Sequence, residues 1–441
     1  MIRLLYYAQK RAFFRFCAFL ILTALVGGCQ DTCERMYTYT LYEPIYMSFD
    51  ELRAAVKTEA PQDIQQAGKI YIIGKYLLVN EPNKGIHIFD NSDPAAPKNL
   101  SFINIPGNID MAVKGNILYA DSHIDLVAFD ISNPASITEV GRVENIFPSW
   151  NRTFANAQQV DFNKGIIVDF KESRTTQISG CGETSMQPYF WYEGHFAISN
   201  RADFAASPVS AMPSSSSKPG IGGSMARYTI YDNFLYTIDD ANMQLFDISS
   251  PANPAFSSLI NVGFNIETIY PYKDKLFIGS QTGMHIYDNA DPANPVRLST
   301  FAHVRSCDPV VADDKYAYVT LRNGNTCGGI VNQLDVIDIT NLSSPRLIKS
   351  YPMSNPHGLG LDYDNNTLFV CDGTSGLKVY NANSPLILDK NILSRKTGHT
   401  YDVIPYKNIA IVTGNDGISQ YDYTDPKNLK LLSKISVVKA E

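Results

Sequence analysis

One five-residue phrase returns seven times along the chain: Ile86-His-Ile-Phe-Asp90, Leu126-Val-Ala-Phe-Asp130, Met243-Gln-Leu-Phe-Asp247, Met284-His-Ile-Tyr-Asp288, Leu334-Asp-Val-Ile-Asp338, Leu377-Lys-Val-Tyr-Asn381 and Ile418-Ser-Gln-Tyr-Asp422. A repeat near 40 residues, β-rich in each copy, constrains the fold more than any composition does, because such units bury their apolar faces only against one another. Within the phrase apolar and variable residues alternate, the period-2 signature of a strand. A turn follows at once. Asp90-Asn-Ser-Asp-Pro94, Asp130-Ile-Ser-Asn-Pro134, Asp247-Ile-Ser-Ser-Pro251, Asp288-Asn-Ala-Asp-Pro292 and Asp422-Tyr-Thr-Asp-Pro426 set a short polar side chain before proline, which bonds nearby N–H groups while proline ends the ladder.

A further apolar run follows each turn, such as Asn99–Asn104 or Arg297–Phe301, and a hairpin precedes each phrase, such as Met111–Val113 and Ile117–Ala120 around Lys114-Gly-Asn116. Four strands per unit outline a propeller blade. Steps between phrase ends are 40, 41, 50, 43 and 41 residues, with one step of 117 from Asp130 to Asp247. Gln159–Phe170 in that gap reads as the first hairpin of an eroded unit. The expectation is an all-β protein with a single propeller of eight four-stranded blades, or seven if that hairpin is decoration.

With Gly68–Gly74, Tyr119–Ser122, Gly279–Met284, Cys307–Val311 and Tyr318–Arg322, the phrases resemble the LVIVD repeat, and the chain from about 65 to 435 resembles a family of bacterial lipoproteins built from it. The resemblance implies a β-propeller on the envelope of Gram-negative bacteria with a role in surface interaction or adhesion, and no catalytic residues.

Residues 1–28 read as a lipoprotein signal peptide: Arg3, Lys10, Arg11 and Arg15, then an apolar core from Phe16 to Val26, then Val26-Gly-Gly-Cys29. That core falls short of the about 20 residues a span needs. Acylation of Cys29, palmitate included, supplies several chains, enough for stable anchoring in the outer membrane, on its periplasmic or surface side. Residues 29–64 form a tether and N-terminal extension, with a strand near Tyr37–Tyr42 and a helix near Asp50–Lys57. The propeller runs from 65 to 441 with an insertion around 173–224, whose Ser-, Pro- and Gly-rich part from 207 to 224 reads as a mobile loop. The full chain carries 37 basic against 44 acidic residues, a formal charge of −7; without the four leader cations the balance is 33 against 44, or −11. No basic stripe points to nucleic acid.

Aligned inner strands put Asp110, Arg227, Glu267, Asp308 and Asp402 at one channel mouth, with Arg305 close by. Crowded carboxylates raise one another's pKa unless a cation intervenes. One reading is an oxygen-ligated ion such as Ca²⁺; the other is that they accept bonds from backbone N–H groups where blades converge, with no cofactor. His303, His357 and His399 precede successive inner strands and, with Cys307 and Cys371, raise zinc, although no compact Cys/His motif is present. Cys307 and Cys327 flank the two ends of one hairpin and are expected to form a disulfide in an oxidising compartment. No nucleophile elbow, phosphate loop or dinucleotide fingerprint occurs. The function expected is a non-catalytic envelope scaffold presenting a propeller face to a protein or glycan, possession of a membrane contact being limited to the lipid. The alternative is a hydrolase or lyase at the acidic mouth, with a bound metal.

Overall fold

A computed structural model describes residues 34–147, 162–180, 219–303, 309–323, 330–396 and 398–438. Seven four-stranded blades occur among them, each built from one contiguous stretch. Their strands span Ile70–Asn104, Met111–Val143, Tyr228–Asn261, Ile266–Ala302, Val310–Pro352, Leu359–Lys396 and Thr400–Ser436, numbered here as blades one to seven. The recurrent phrase is the third strand of every blade.

The repeat dictates local geometry copy by copy. The residue ending each phrase accepts the N–H two positions on, at 2.7 to 3.2 Å, from Asp90 through Asp130, Asp247, Asp288, Asp338, Asn381 and Asp422. Every blade also has a bulge between its third and outer strands, at the third and fourth positions of the phrase. Such bulges increase local twist. Hydroxyls then reach the next blade's turn: Tyr119 to the Pro251 carbonyl (2.8 Å), Tyr236 to Pro292 (2.7 Å), Tyr351 to Pro385 (2.6 Å), Ser394 to Pro426 (2.9 Å) and Ser433 to Pro94 (2.6 Å).

Apolar clusters lie between neighbouring blades. One joins Ile70, Ile72, Leu77 and Val79 of blade one to Ile404, Ile411 and Ile418 of blade seven and so closes the ring. Among the described residues no strand is shared across that closure. It is reinforced by two amide bonds between Asn91 and Gln420 (2.8 and 2.7 Å) and by Val438 N–H donating to the Ile64 carbonyl (2.8 Å). Each fully buried aliphatic side chain at such a seam contributes about 1.5–3 kcal/mol relative to exposure.

The eight-blade count is corrected to seven. In the long gap, Ile166–Gly180 is one extended strand pairing antiparallel with Glu34–Met47, and these two form a compact unit of their own. Alternation alone identifies a strand without identifying its partner, so a distant pairing imitated a local hairpin. The departure from the propeller therefore begins soon after blade two, earlier than residue 173. Residues 159–161 and 181–218 lie outside the described residues.

The expected helix is present at Phe49–Ala55, opened by a capping box in which Ser48 Oγ accepts Glu51 N–H (3.3 Å) and Glu51 Oε2 accepts Ser48 N–H (2.9 Å). Leu52 is buried beneath it, and Arg53 pairs with the buried Asp125 of blade two (3.0 Å), which also holds Arg142 (2.8 Å). Lys57–Glu59 adds a fifth, outermost strand to blade one. No helix among the described residues is long and apolar enough to cross a membrane.

Candidate functional site

The inner strands fix which side chains meet at the channel mouth. Ladder partners Ile70–Val79, Met111–Ala120, Tyr228–Thr237, Ile269–Ile278, Val310–Val319, Leu359–Val370 and Val403–Val412 are equivalent across the blades. The residues just before them form one ring: Lys69, Asp110, Arg227, Thr268, Pro309, Gly358 and Asp402. Asp110, Arg227 and Asp402 thus share the expected position. Glu267 does not; it precedes the ring residue Thr268 by one, next to a register shift between Ile266 and Thr268, and a slip of one residue changes the sheet face. Its carboxylate accepts from Gln281 Nε2 at 3.1 Å. Arg305, Asp308, Cys307, Cys327 and Cys29 lie outside the described residues.

Lys69, at the equivalent position of blade one and absent from the expected set, changes the electrostatics. Its ammonium pairs with Asp110 at 2.5 Å, and burial holds it below the ordinary lysine range. Asp110 also accepts from the backbone N–H of Met111 (2.7 Å) and of Arg227. Arg227 in turn reaches the Ile266 carbonyl (3.3 Å) and Asp240 (3.6 Å). Asp121 accepts the N–H groups of Ile109 (3.0 Å) and Asp110 (2.9 Å), and burial raises its carboxyl to about 6.

The chain itself enters the channel. Pro219 bridges to Lys114 of blade two, and Ile221–Gly222 adds a short strand inside blade one opposite Ile72 and Tyr71. Ser224 Oγ accepts Leu359 N–H of blade six (2.8 Å) and donates to Asp402 of blade seven (3.2 Å), while the Ala226 carbonyl accepts Ile269 N–H of blade four (2.9 Å). Five blades are thereby tied to one segment. Residues 219–224 are therefore ordered, contrary to the loop expected over 207–224. The composition is that of a loop, but glycine permits the close approach that the channel demands. A Cβ on Gly223 would lie 1.9 Å from Asp402 Oδ2, and one on Gly358 2.1 Å from Oδ1. Enclosed this way, Asp402 is raised to about 7, foremost by burial.

The three histidines do not converge. His303 follows the outer strand of blade four, with His285 and Asp335 as electrostatic neighbours. His357 and His399 stand 6.0 Å apart between ring centroids, and both pack on Tyr401, at 5.2 and 4.7 Å. Asn415 Nδ2 donates to His399 Nδ1 (2.8 Å), and its Oδ1 accepts the Tyr401 hydroxyl. Burial first, then Arg322 and His399, pushes His357 down to about 4. Cys371 is a buried free thiol whose pKa burial pushes well up. No group of three or more His, Cys, Asp or Glu side chains placed to hold a metal occurs among the described residues.

Beside the occupied channel a cleft of about 430 Å³ opens between blades seven and one. Gln65, Gln66, Lys69, Asn80, Ile109 and Pro82 line one side, Tyr401, Thr413 and Asn415 the other, with Met225 and Asp402 from the centre. The lining is largely apolar, and its polar side chains include the amides of Gln65, Gln66, Asn80 and Asn415 and the Tyr401 hydroxyl.

Seven repeat-built blades around a self-filled channel define a β-propeller of the repeat class. The model of the LVIVD repeat matches residues 65–103, 108–145, 222–262 and 305–352, which are blades one, two, three and five. The chain thus carries LVIVD repeats within a β-propeller, consistent with a family of LVIVD-repeat propellers. No curated protein matches it in sequence. Among solved structures, the periplasmic gluconolactonase of Pseudomonas aeruginosa is similar at 10% identity and a TM-score of 0.53, covering 83% of this chain and 96% of that one. A putative 6-phosphogluconolactonase from Bacteroides fragilis shares 13% identity with a TM-score of 0.49, covering 84% and 96%. At such identity the first of these likenesses speaks for the fold alone.

Proposed function

We propose that this protein is a non-catalytic binding scaffold of the cell envelope, held at the outer membrane by acyl chains on Cys29, that presents the channel-mouth face of its propeller to a protein or glycan partner. The occupancy of the channel by residues 219–226 carries this reading. The groups that an acidic catalytic mouth would use are engaged in holding that segment: Asp110 on Lys69 and the Arg227 N–H, Asp402 on Ser224 and Val403. Binding is then left to the loops around the mouth and to the cleft beside it. Loops on a rigid scaffold are where recognition concentrates.

The rival reading, a propeller hydrolase or lyase, draws support from Asp402, an acid that titrates near neutrality. Its oxygens are spent on the chain itself, which favours the scaffold. A pull-down from envelope extract with the lipid-free chain tests the proposal: a partner retained by the native chain and lost on substituting mouth-loop residues supports it. Turnover of a glycan or ester that Asp402→Asn abolishes would overturn it. Fractionation of Cys29→Ser checks the anchor, and unchanged membrane attachment and mass would refute lipidation.

A further inference from the structure

The cleft between blades seven and one has the chemistry of a specific ligand class. One wall is the Tyr401 ring, and three contacts fix it. His399 and His357 pack on it at 4.7 and 5.2 Å, and its hydroxyl is bonded to Asn415. The Nε2 atoms of both imidazoles are buried without a hydrogen-bond partner, so they serve as backing for the ring and are not turned to another side chain. A tyrosine held in this way is a preorganised platform, because little rotamer freedom is left to lose on binding. Across the cleft stand Gln65 and Gln66, both exposed; Gln65 Oε1 accepts from Lys84 at 2.5 Å, which leaves its amide NH₂ to donate. The cation in the wall, Lys69, is already compensated by Asp110. Met225 supplies an apolar floor.

We infer that this cleft is a carbohydrate subsite for one or two neutral pyranose units, with Tyr401 as the stacking platform and the amides of Gln65 and Gln66 as hydroxyl-binding groups. Sugars offer an apolar ring face beside dense hydroxyls, which an aromatic plane and amides match, whereas an anionic ligand would meet Asp402 and a lysine already paired with Asp110. The volume of about 430 Å³ falls within the about 300–1,000 Å³ of small-molecule sites. This inference rests on the scaffold reading and narrows its partner to a glycan.

Titration of the full chain with cellotetraose, maltotetraose, mannotetraose and, as the charged counterpart, tetragalacturonate tests it, by calorimetry and saturation-transfer NMR. At least one neutral tetrasaccharide is expected to bind with millimolar or better affinity. Tyr401→Ala should weaken that binding at least tenfold, and Tyr401→Phe, which keeps the ring, less than threefold. Gln66→Trp, at an exposed position where folding is not at stake, should block it. Failure of all three neutral sugars to bind, unaltered binding by Gln66→Trp, or tighter binding of tetragalacturonate by tenfold would each overturn the inference. The envelope pull-down can still recover a protein partner when the sugars fail, so the two proposals fall separately.

Discussion

The rim and the axis of the propeller are built by opposite rules. At the rim, one solution is repeated seven times: a phrase, a bulge and an Asx turn, with Asn381 replacing aspartate in blade six at no loss of the bond. Along the axis the seven equivalent ring positions hold seven different environments, from the Lys69–Asp110 pair to Gly358 against Asp402, and the segment leading into blade three lies at the centre. Redundancy makes each rim device individually dispensable. Each axial group is unique and enclosed, so its loss has no substitute.

That contrast is broken first at Asp402. Its folded carboxyl titrates near 7 against an ordinary value of 3.8. The folded state therefore keeps a proton that the unfolded chain has released by about pH 5, and this stabilisation, fully present below pH 4, is lost as pH rises through 7. At about 1.4 kcal/mol per unit, the whole effect is on the order of 4 kcal/mol, of which about 3 kcal/mol falls between pH 5 and pH 8. Denaturant unfolding at pH 5 and pH 8 should show the chain weaker at pH 8, with Asp402→Asn flattening the difference. Equal stabilities at the two values would remove Asp402 from its axial role.

The cysteine pair expected in the sequence of blade five comes next. The Cys307–Cys327 disulfide expected from the sequence would close a short loop, worth about 3 kcal/mol in the chain-entropy model. Non-reducing peptide mapping of envelope-purified protein should recover the linked pair, and alkylation of both thiols without reductant rules it out. Somewhat smaller is Gly358→Ala. Its new methyl meets Asp402, and overpacking of this kind costs about 1–3 kcal/mol. The melting temperature should fall while the far-UV spectrum stays β-rich; an unchanged melting temperature would mean that the axis is looser than the distances imply.

The same contrast explains what was legible in the sequence. Strands, turns and blade boundaries could be read because each signal came in several copies, and Asp110, Arg227 and Asp402 were placed together for the same reason. Glu267 was misplaced because the shift between Ile266 and Thr268 leaves no mark in the alternation. Eight blades gave way to the alternative of seven because pairing of Ile166–Gly180 with Glu34–Met47 is a choice of partner more than 100 residues away, which period-2 patterning does not encode. Gly220–Ser224 resembled linker because it is poor in apolar side chains; only Gly223 and Ser224 are buried in it, against neighbouring blades. Its glycines at 220, 222 and 223 were the signal, since clustered glycines also mark close backbone approach.

The smallest effect is expected at the rim, where a single copy can be removed. Asp247 Oδ1 accepts the Ser249 N–H at 2.7 Å, and the turn it shapes presents the Pro251 carbonyl to Tyr119 of blade two. Replacing Asp247 with alanine deletes one bond whose donor can still find water, so the cost should be about 0.5–1.5 kcal/mol. Asp247→Asn keeps a side-chain oxygen, as Asn381 does in blade six, and should be nearly neutral. Tyr119→Phe tests the coupling between blades: if turn and staple act together, the double variant with Asp247→Ala should cost less than the two single variants added. Thermal melts of the four proteins measure this. A loss for Asp247→Ala as large as that for Gly358→Ala would erase the distinction between a redundant rim and an irreplaceable axis.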